Sequence, residues 1–428
     1  MQLNKVIFSL GLGVILTACG GSDDGEDSGS TQPPPTISSR VVSGTIQQLT
    51  GERMQVNHQW IELVGAKVQY ADDMWADPLQ IGMDVEVVVT ADKADKVTLN
   101  PLLTGQLEID DTRSENGIWS VNGVLLDKVE VGQNAGDWVM VFGEYDAQGR
   151  VITSEVTVLI SKPMWFEIEN RIVGLDSTTE TFLMGQFKVS YAGAHIEDGP
   201  LQEGRWAEVF GLLQGEQLKA GKVDIDDRDS LPDQSEIEGR IQYFEQSTGL
   251  LELDRQRQVW VTGTTRFENG SQANLQVGVE VEVEIRLGSQ GMIAAEIEFD
   301  DGHTPSPPIP NQQFKLSGLA DWDGGVLTIN GIRFELDELT RLGDGLTKDN
   351  LDGRWVELDG IVSAGLNLVR EIEPDEKDDS LELRGLVSLG QLWGYRASDN
   401  SLENYDGRWM DLDCHFDGNM ISNCRMDD

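Results

Sequence analysis

The residues able to do chemistry in this 428-residue chain are scattered rather than clustered. Its four histidines, His58, His195, His303 and His415, stand far apart along the sequence. No HExxH, GxSxG, Walker-type loop or CxxCH haem-attachment motif is present. Carboxylates are everywhere, with 75 Asp and Glu against 32 Lys and Arg, so a pair of acids says little about glycosidase chemistry. One spacing approaches a calcium loop: Asp227, Asp229 and Glu238 fall at positions one, three and twelve. Leu231 then takes position five and Pro232 the place of the required glycine, so the EF-hand reading fails. No cofactor is expected, although the charge alone leaves room for weak, surface-bound Ca2+. With no nucleophile, base and orienting group to assemble, the chain reads as non-catalytic. The alternative is an enzyme accessory subunit or unrecognised hydrolase, with a cleft of converging acids between repeats.

The N-terminus gives an address. Lys5 precedes the apolar run VIFSLGLGVIL (Val6 to Leu16), too short for a stable membrane span and suited to the core of a secretory signal. Leu16-Thr17-Ala18-Cys19 resembles a bacterial lipobox, in which cleavage leaves the cysteine as the acylated first residue. Lipidation is therefore expected at Cys19, making the lipid bilayer a partner. Gly20 and Gly21 follow where an aspartate would signal inner-membrane retention, so the resemblance implies an outer-membrane lipid anchor, facing periplasm or exterior. Residues 1–18 read as signal peptide and 19–39 as a disordered acidic tether. A formal charge of −43 repels nucleic acid, whose binding depends on basic contacts to phosphate, and repels anionic headgroups. No nucleic-acid partner is expected.

The rest alternates apolar with polar side chains, as in VEVEVEIRL, which predicts strands with one wet face and an all-β chain. A Gly-led segment recurs six times, at Gly82, Gly136, Gly204, Gly278, Gly353 and Gly407, each preceded by an opening strand and followed by a closing one. The expectation is a tandem array of about six small β-barrels, since closure removes exposed sheet edges. The repeats would run 40–101, 102–163, 164–226, 235–300, 313–374 and a truncated 380–428, with linkers at 227–234 and a Pro-rich 301–312. Linker looseness suggests groups of three, one and two.

The carriers Ser43-Gly44-Thr45-Ile46, Leu79 with Gly82, Val85-Glu86-Val87 and Ala295-Glu296-Ile297 resemble the tandem DUF5666 repeats of bacterial lipoproteins, a domain-of-unknown-function family. That resemblance implies OB-like small barrels and supplies no activity or catalytic residues. Asn170 departs from it, standing where the opening glycine is expected.

Within the Gly-led strand, Val85, Val87 and Val89 must share the inner face. The position of Asp84 is Trp in four copies (Trp138, Trp206, Trp355, Trp409) and Glu280 in another, which predicts an outer, half-exposed row. That row would serve either as a platform for a protein or glycan partner, or as packing against the adjacent repeat; half-buried Trp at module contacts favours the second. The leading glycine suits a turn, and the terminal Gly143, Gly211 and Gly360 a bend or close backbone approach. Cys414 replaces that terminal glycine and Cys424 lies on the partnered strand, so an exported compartment would join them in a disulfide. The function expected is a repeat scaffold or binding protein of the cell envelope.

Overall fold

The leading glycine enters its strand the same way in all six copies. In the computed structural model, Gly82, Gly136, Gly204, Gly278, Gly353 and Gly407 have φ between 72° and 91°, a region glycine enters without steric cost. Each sits third in a turn, and its N–H donates at 2.7–2.9 Å to a carbonyl two residues beyond the opening Gly, or beyond Asn170 in repeat 3, from Ile46, Leu107, Ile172, Ile241, Ala320 or Val387. One backbone motif is thus written six times. The structure describes residues 39–426 except 72, 76, 111–116, 130–131, 186, 216, 226–230, 255–256, 289–290, 300–311, 324 and 364. Cys19, the signal and the tether up to residue 38, His303, Asp227, Asp229, half of the 227–234 linker and nearly all of the 301–312 linker lie outside the described residues.

Each repeat has three long strands. The opening strands are Ser39–Thr45, Leu103–Asp110, Phe166–Arg171, Glu236–Glu245, Gln312–Leu319 and Ser380–Leu386. Each pairs antiparallel with its Gly-led strand: Asp84–Thr90, Trp138–Tyr145, Trp206–Gln214, Glu280–Gly288, Trp355–Ser363 or Trp409–Phe416. The Gly-led strand then pairs antiparallel with a closing strand, such as Lys93–Leu99 or Leu366–Pro374. Middle strands return parallel to the closing strand, as Lys67–Tyr70 does to Lys96–Leu99. Val85, Val87 and Val89 all face inward, fully buried, as the alternation requires.

The all-β class holds, with no α-helix among the described residues. The sheets, however, run on from repeat to repeat in solenoid fashion, with 14, 12 and 9 strands, where the sequence led us to expect separate barrels. The expected grouping also changes. Opening strands join repeat 1 to repeat 4 in parallel (Val42 beside Glu236), and repeat 2 to repeat 3 and repeat 5 to repeat 6 antiparallel. The chain from Ser38 to Asp428 is one compact unit, with repeats 2 and 3 sharing one apolar core and repeats 5 and 6 another.

A bulge interrupts the Gly-led and closing pair in every copy, and three of these carry the terminal glycine. A Cβ at Gly143, Gly211 or Gly360 would meet a partner carbonyl oxygen at 2.1, 2.4 or 2.1 Å. At the sixth bulge Cys414 occupies the place instead, and it is disulfide-bonded to Cys424.

The opening glycine has a reciprocal partner. A Cβ at Gly44 or Gly105 would fall 2.2 Å from the Oδ1 of Asn57 or Asn122, which turn their hairpins at φ 49°. Asn122 Nδ2 donates to the Thr104 and Glu167 carbonyls at 3.1 and 2.7 Å. In repeat 3 the two residues trade places: Asn170 stands on the opening strand and Gly185, φ 56°, in the hairpin, its Cβ position 3.8 Å from Asn170 Nδ2. The same small space is filled from the opposite side. Gly105→Asn and Asn122→Gly should therefore each cost about 2 kcal/mol in denaturant titrations. Combined, they should recover at least about 1 kcal/mol of the summed loss, and strict additivity would contradict the swap.

Candidate functional site

The tryptophan position lies at the seams between paired repeats. Trp138 of repeat 2 packs on Phe166 of repeat 3, ring centroids 4.7 Å apart, under the ammonium of Lys162 at 4.8 Å. Trp206 of repeat 3 meets Tyr145 of repeat 2 edge-on at 6.1 Å. Repeats 5 and 6 repeat the exchange: Trp355 packs on Phe416 at 5.9 Å, and Trp409 Nε1 donates to the Gln313 carbonyl at 3.1 Å. Trp138, Trp355 and Trp409 are half-buried. Trp206 is not: it is 5% exposed and its indole N–H is taken by Glu169 at 2.5 Å, which corrects the expectation of a uniformly outer row. The outer face of repeat 3 is itself covered, since Arg171 beside Trp206 is buried against repeats 4 and 5.

The two copies with an acid at the Trp position are the two whose opening strands pair in parallel. Their seam is polar. Arg40 pairs with Glu236 at 3.1 Å, Glu238 accepts the Thr45 N–H at 2.9 Å, and His58 reaches Glu282 at 2.5 Å. Glu280 pairs with Arg240 at 3.2 Å. Glu238, the remnant of the calcium-loop spacing, is thus consumed in a joint, and burial holds its carboxyl well above the ordinary range. His195 pairs with Glu197 at 2.9 Å, and His415 is exposed on the last Gly-led strand. Among the described residues no three His, Cys, Asp or Glu side chains stand together as a metal-binding group.

Charges from different repeats do converge, in a sealed place. Arg370 Nη2 bonds Glu252 Oε1 at 2.7 Å, and its Nε bonds the other oxygen of the same carboxylate. Arg370 Nη1 reaches Asp337 Oδ2 at 3.2 Å. Arg171 stands across the same two acids, 3.6 Å from Glu252 and 3.5 Å from Asp337. All four side chains are at most 3% exposed. Two positive and two negative groups cancel, the condition for burying any of them. The two carboxylates raise the Arg370 pKa against the opposing effect of burial.

Residues 238–298 and 319–373 match the sequence profile described as a domain of unknown function, DUF5666. Repeats 4 and 5 are thus similar to that family. No curated protein matches the chain. Among solved structures, Drosophila Unr CSD456 is similar at 12% identity over 51% of this chain and all of its own, with a TM-score of 0.15. A Streptococcus pneumoniae multidomain protein with nucleic acid binding domains is similar at 10% identity over 50% of this chain and 73% of its own, with a TM-score of 0.13. At those scores neither bears on the fold or the function.

The two DUF5666 segments, repeats 4 and 5, supply three of the four buried charges, Glu252, Asp337 and Arg370. Repeat 3 supplies the fourth and makes room for it: a Cβ at Gly204 would lie 2.4 Å from that of Asp337. None of these four charges was singled out from sequence. The one signal was an arginine mid-strand in LNLVREIEP, where neighbours Val369 and Ile372 are core.

Arg370→Ala should destabilise the chain by about 3–5 kcal/mol in chemical unfolding, because two buried carboxylates lose their main counter-charge. A loss below about 1 kcal/mol would contradict the arrangement. A second expectation follows from acidity. Burial pushes Asp359 up to about 7 against Lys315, and Glu144 up to about 7 against Arg240. Between the unfolded carboxylate values near 4 and about 7, the folded chain holds protons that the unfolded chain has released, so stability falls as pH rises through that window. Melting temperature should drop by about 5 °C from pH 5 to pH 8 at constant ionic strength. A rise over that window would refute the assignment.

Proposed function

We propose that this chain is a non-catalytic envelope protein, held in the outer membrane by an acylated Cys19, that presents a rigid repeat scaffold to a protein or glycan partner. Each repeat would be a small OB-like unit fused to its neighbours through shared sheets. The pairing supports that reading: opening strand to Gly-led strand, Gly-led to closing strand, and a middle strand parallel to the closing one. The observation carrying the scaffold reading is the use made of the acids. Carboxylates from different repeats meet arginines in a sealed interior, as at Glu252, Asp337 and Arg370. A binding role fits what is left outside. Ile160 and Met164, 79% and 75% exposed, stand with Trp165 on the connection between repeats 2 and 3. Three large apolar side chains so close together are characteristic of contact surfaces. With the seam tryptophans engaged in packing, that connection is the contact surface we favour.

Cys19→Ala should abolish labelled-palmitate incorporation and move the protein from the outer-membrane fraction to the soluble one, leaving its melting temperature unchanged. Continued membrane fractionation of the variant would count against the anchor.

A further inference from the structure

We propose that a proton shared between Glu167 and Glu208 fastens repeat 1 onto repeat 3, and that its loss at alkaline pH loosens this joint. Glu167 is fully buried near the start of the third opening strand. Its Oε2 accepts from Thr104 Oγ1 at 2.6 Å and from the phenol of Tyr70, which reaches across from repeat 1. Tyr70 and Thr104 belong to repeats 1 and 2, so the carboxyl is the point where three repeats meet. Its second oxygen, Oε1, is sealed from solvent and receives no N–H or hydroxyl hydrogen. Beside it stands the Glu208 carboxyl, on the same face of the neighbouring strand, since Glu169 lies opposite Glu208 and Glu167 opposite Phe210. The register brings the two carboxyls close enough for a hydrogen bond between them. Two carboxylates cannot make that bond, and one carboxyl with one carboxylate can.

The groups around the pair are mainly other carboxylates and hydroxyls. Facing it are Tyr70 from repeat 1, Thr104 from repeat 2, Glu169 on the same strand, and Asp224 and Lys222 on the closing strand. Lys222 is the one cation among them, and its Nζ is held by Glu197 at 2.8 Å and Asp224 at 3.1 Å. Burial first, and then the Glu167 charge, hold the Glu208 carboxyl well above the ordinary range. The Tyr70 phenol is likewise pushed up, by burial and then by Glu167, which keeps it a donor. The sign follows. A carboxyl whose folded value is raised contributes stability fully present below its unfolded value near 4.5, and that stability is lost as pH rises through the folded value.

The test is hydrogen exchange on the full mature chain at pH 6 and pH 9, corrected for the intrinsic rate and compared with Glu208→Gln. Gln donates to Glu167 and cannot titrate. In the unaltered protein, protection of Lys67–Tyr70 and Phe166–Arg171 should fall at least tenfold at pH 9, with Glu208→Gln holding both within twofold. Equal protection at the two pH values in the unaltered protein, or the same fall in the variant, overturns the proposal. Tyr70→Phe should lower protection at both pH values and keep the pH-dependent fall. Should Glu208→Gln not fold, infrared titration of the unaltered protein decides. Its protonated-carboxyl band must fade in step with the loss of protection, and a band that does not change refutes the shared proton.

Discussion

Four charged side chains that no water reaches set the arrangement of this protein. Arg171, Glu252, Asp337 and Arg370 come from three repeats and lie within one ring of contacts. Each would be prohibitively costly to bury alone, so none of repeats 3, 4 and 5 can take its place without the other two. A hydrophobic patch of the same area would tolerate sliding; a bidentate guanidinium on a carboxylate does not. Gly204 allows the approach, because any side chain there would collide with Asp337.

Around that lock the same rule recurs, that each repeat is completed by another. The choice between Trp and acid on the Gly-led strand follows the pairing of the opening strands. Antiparallel partners exchange aromatic contacts across their seam, as Trp138 with Phe166 and Trp355 with Phe416 do. The parallel partners, repeats 1 and 4, exchange charge, as Arg40 with Glu236 does. Within a repeat the constraints are steric. The bulge carries glycine in three copies, a bridged cysteine in one, and Val89 or Ile285 in the other two, while the opening strand admits glycine or asparagine according to what the hairpin offers.

What could be read in the sequence was whatever depends on neighbours in the chain. Alternation placed Val85, Val87 and Val89 inside, and self-comparison found the six leading glycines and the substitution pattern linking Cys414 to Cys424. The lock was not legible, because residues 171, 252, 337 and 370 share no local signature. In a chain with 75 acids, two buried ones look like all the rest. The burial of Trp206 was missed for a related reason: periodicity assigns a face, and says nothing of what will later cover it. The parallel pairing of repeats 1 and 4, almost two hundred positions apart, is invisible to any local pattern. Asn170 looked like decay of the motif and is instead its mirror.

A string of beads and an interlocked body differ most in size. Small-angle X-ray scattering on the mature chain, in its soluble Cys19→Ala form, separates them directly. An interlocked body of this length should give a radius of gyration of about 22–25 Å and a single compact distance distribution. A radius half as large again, with a distribution showing separate modules, would contradict the account.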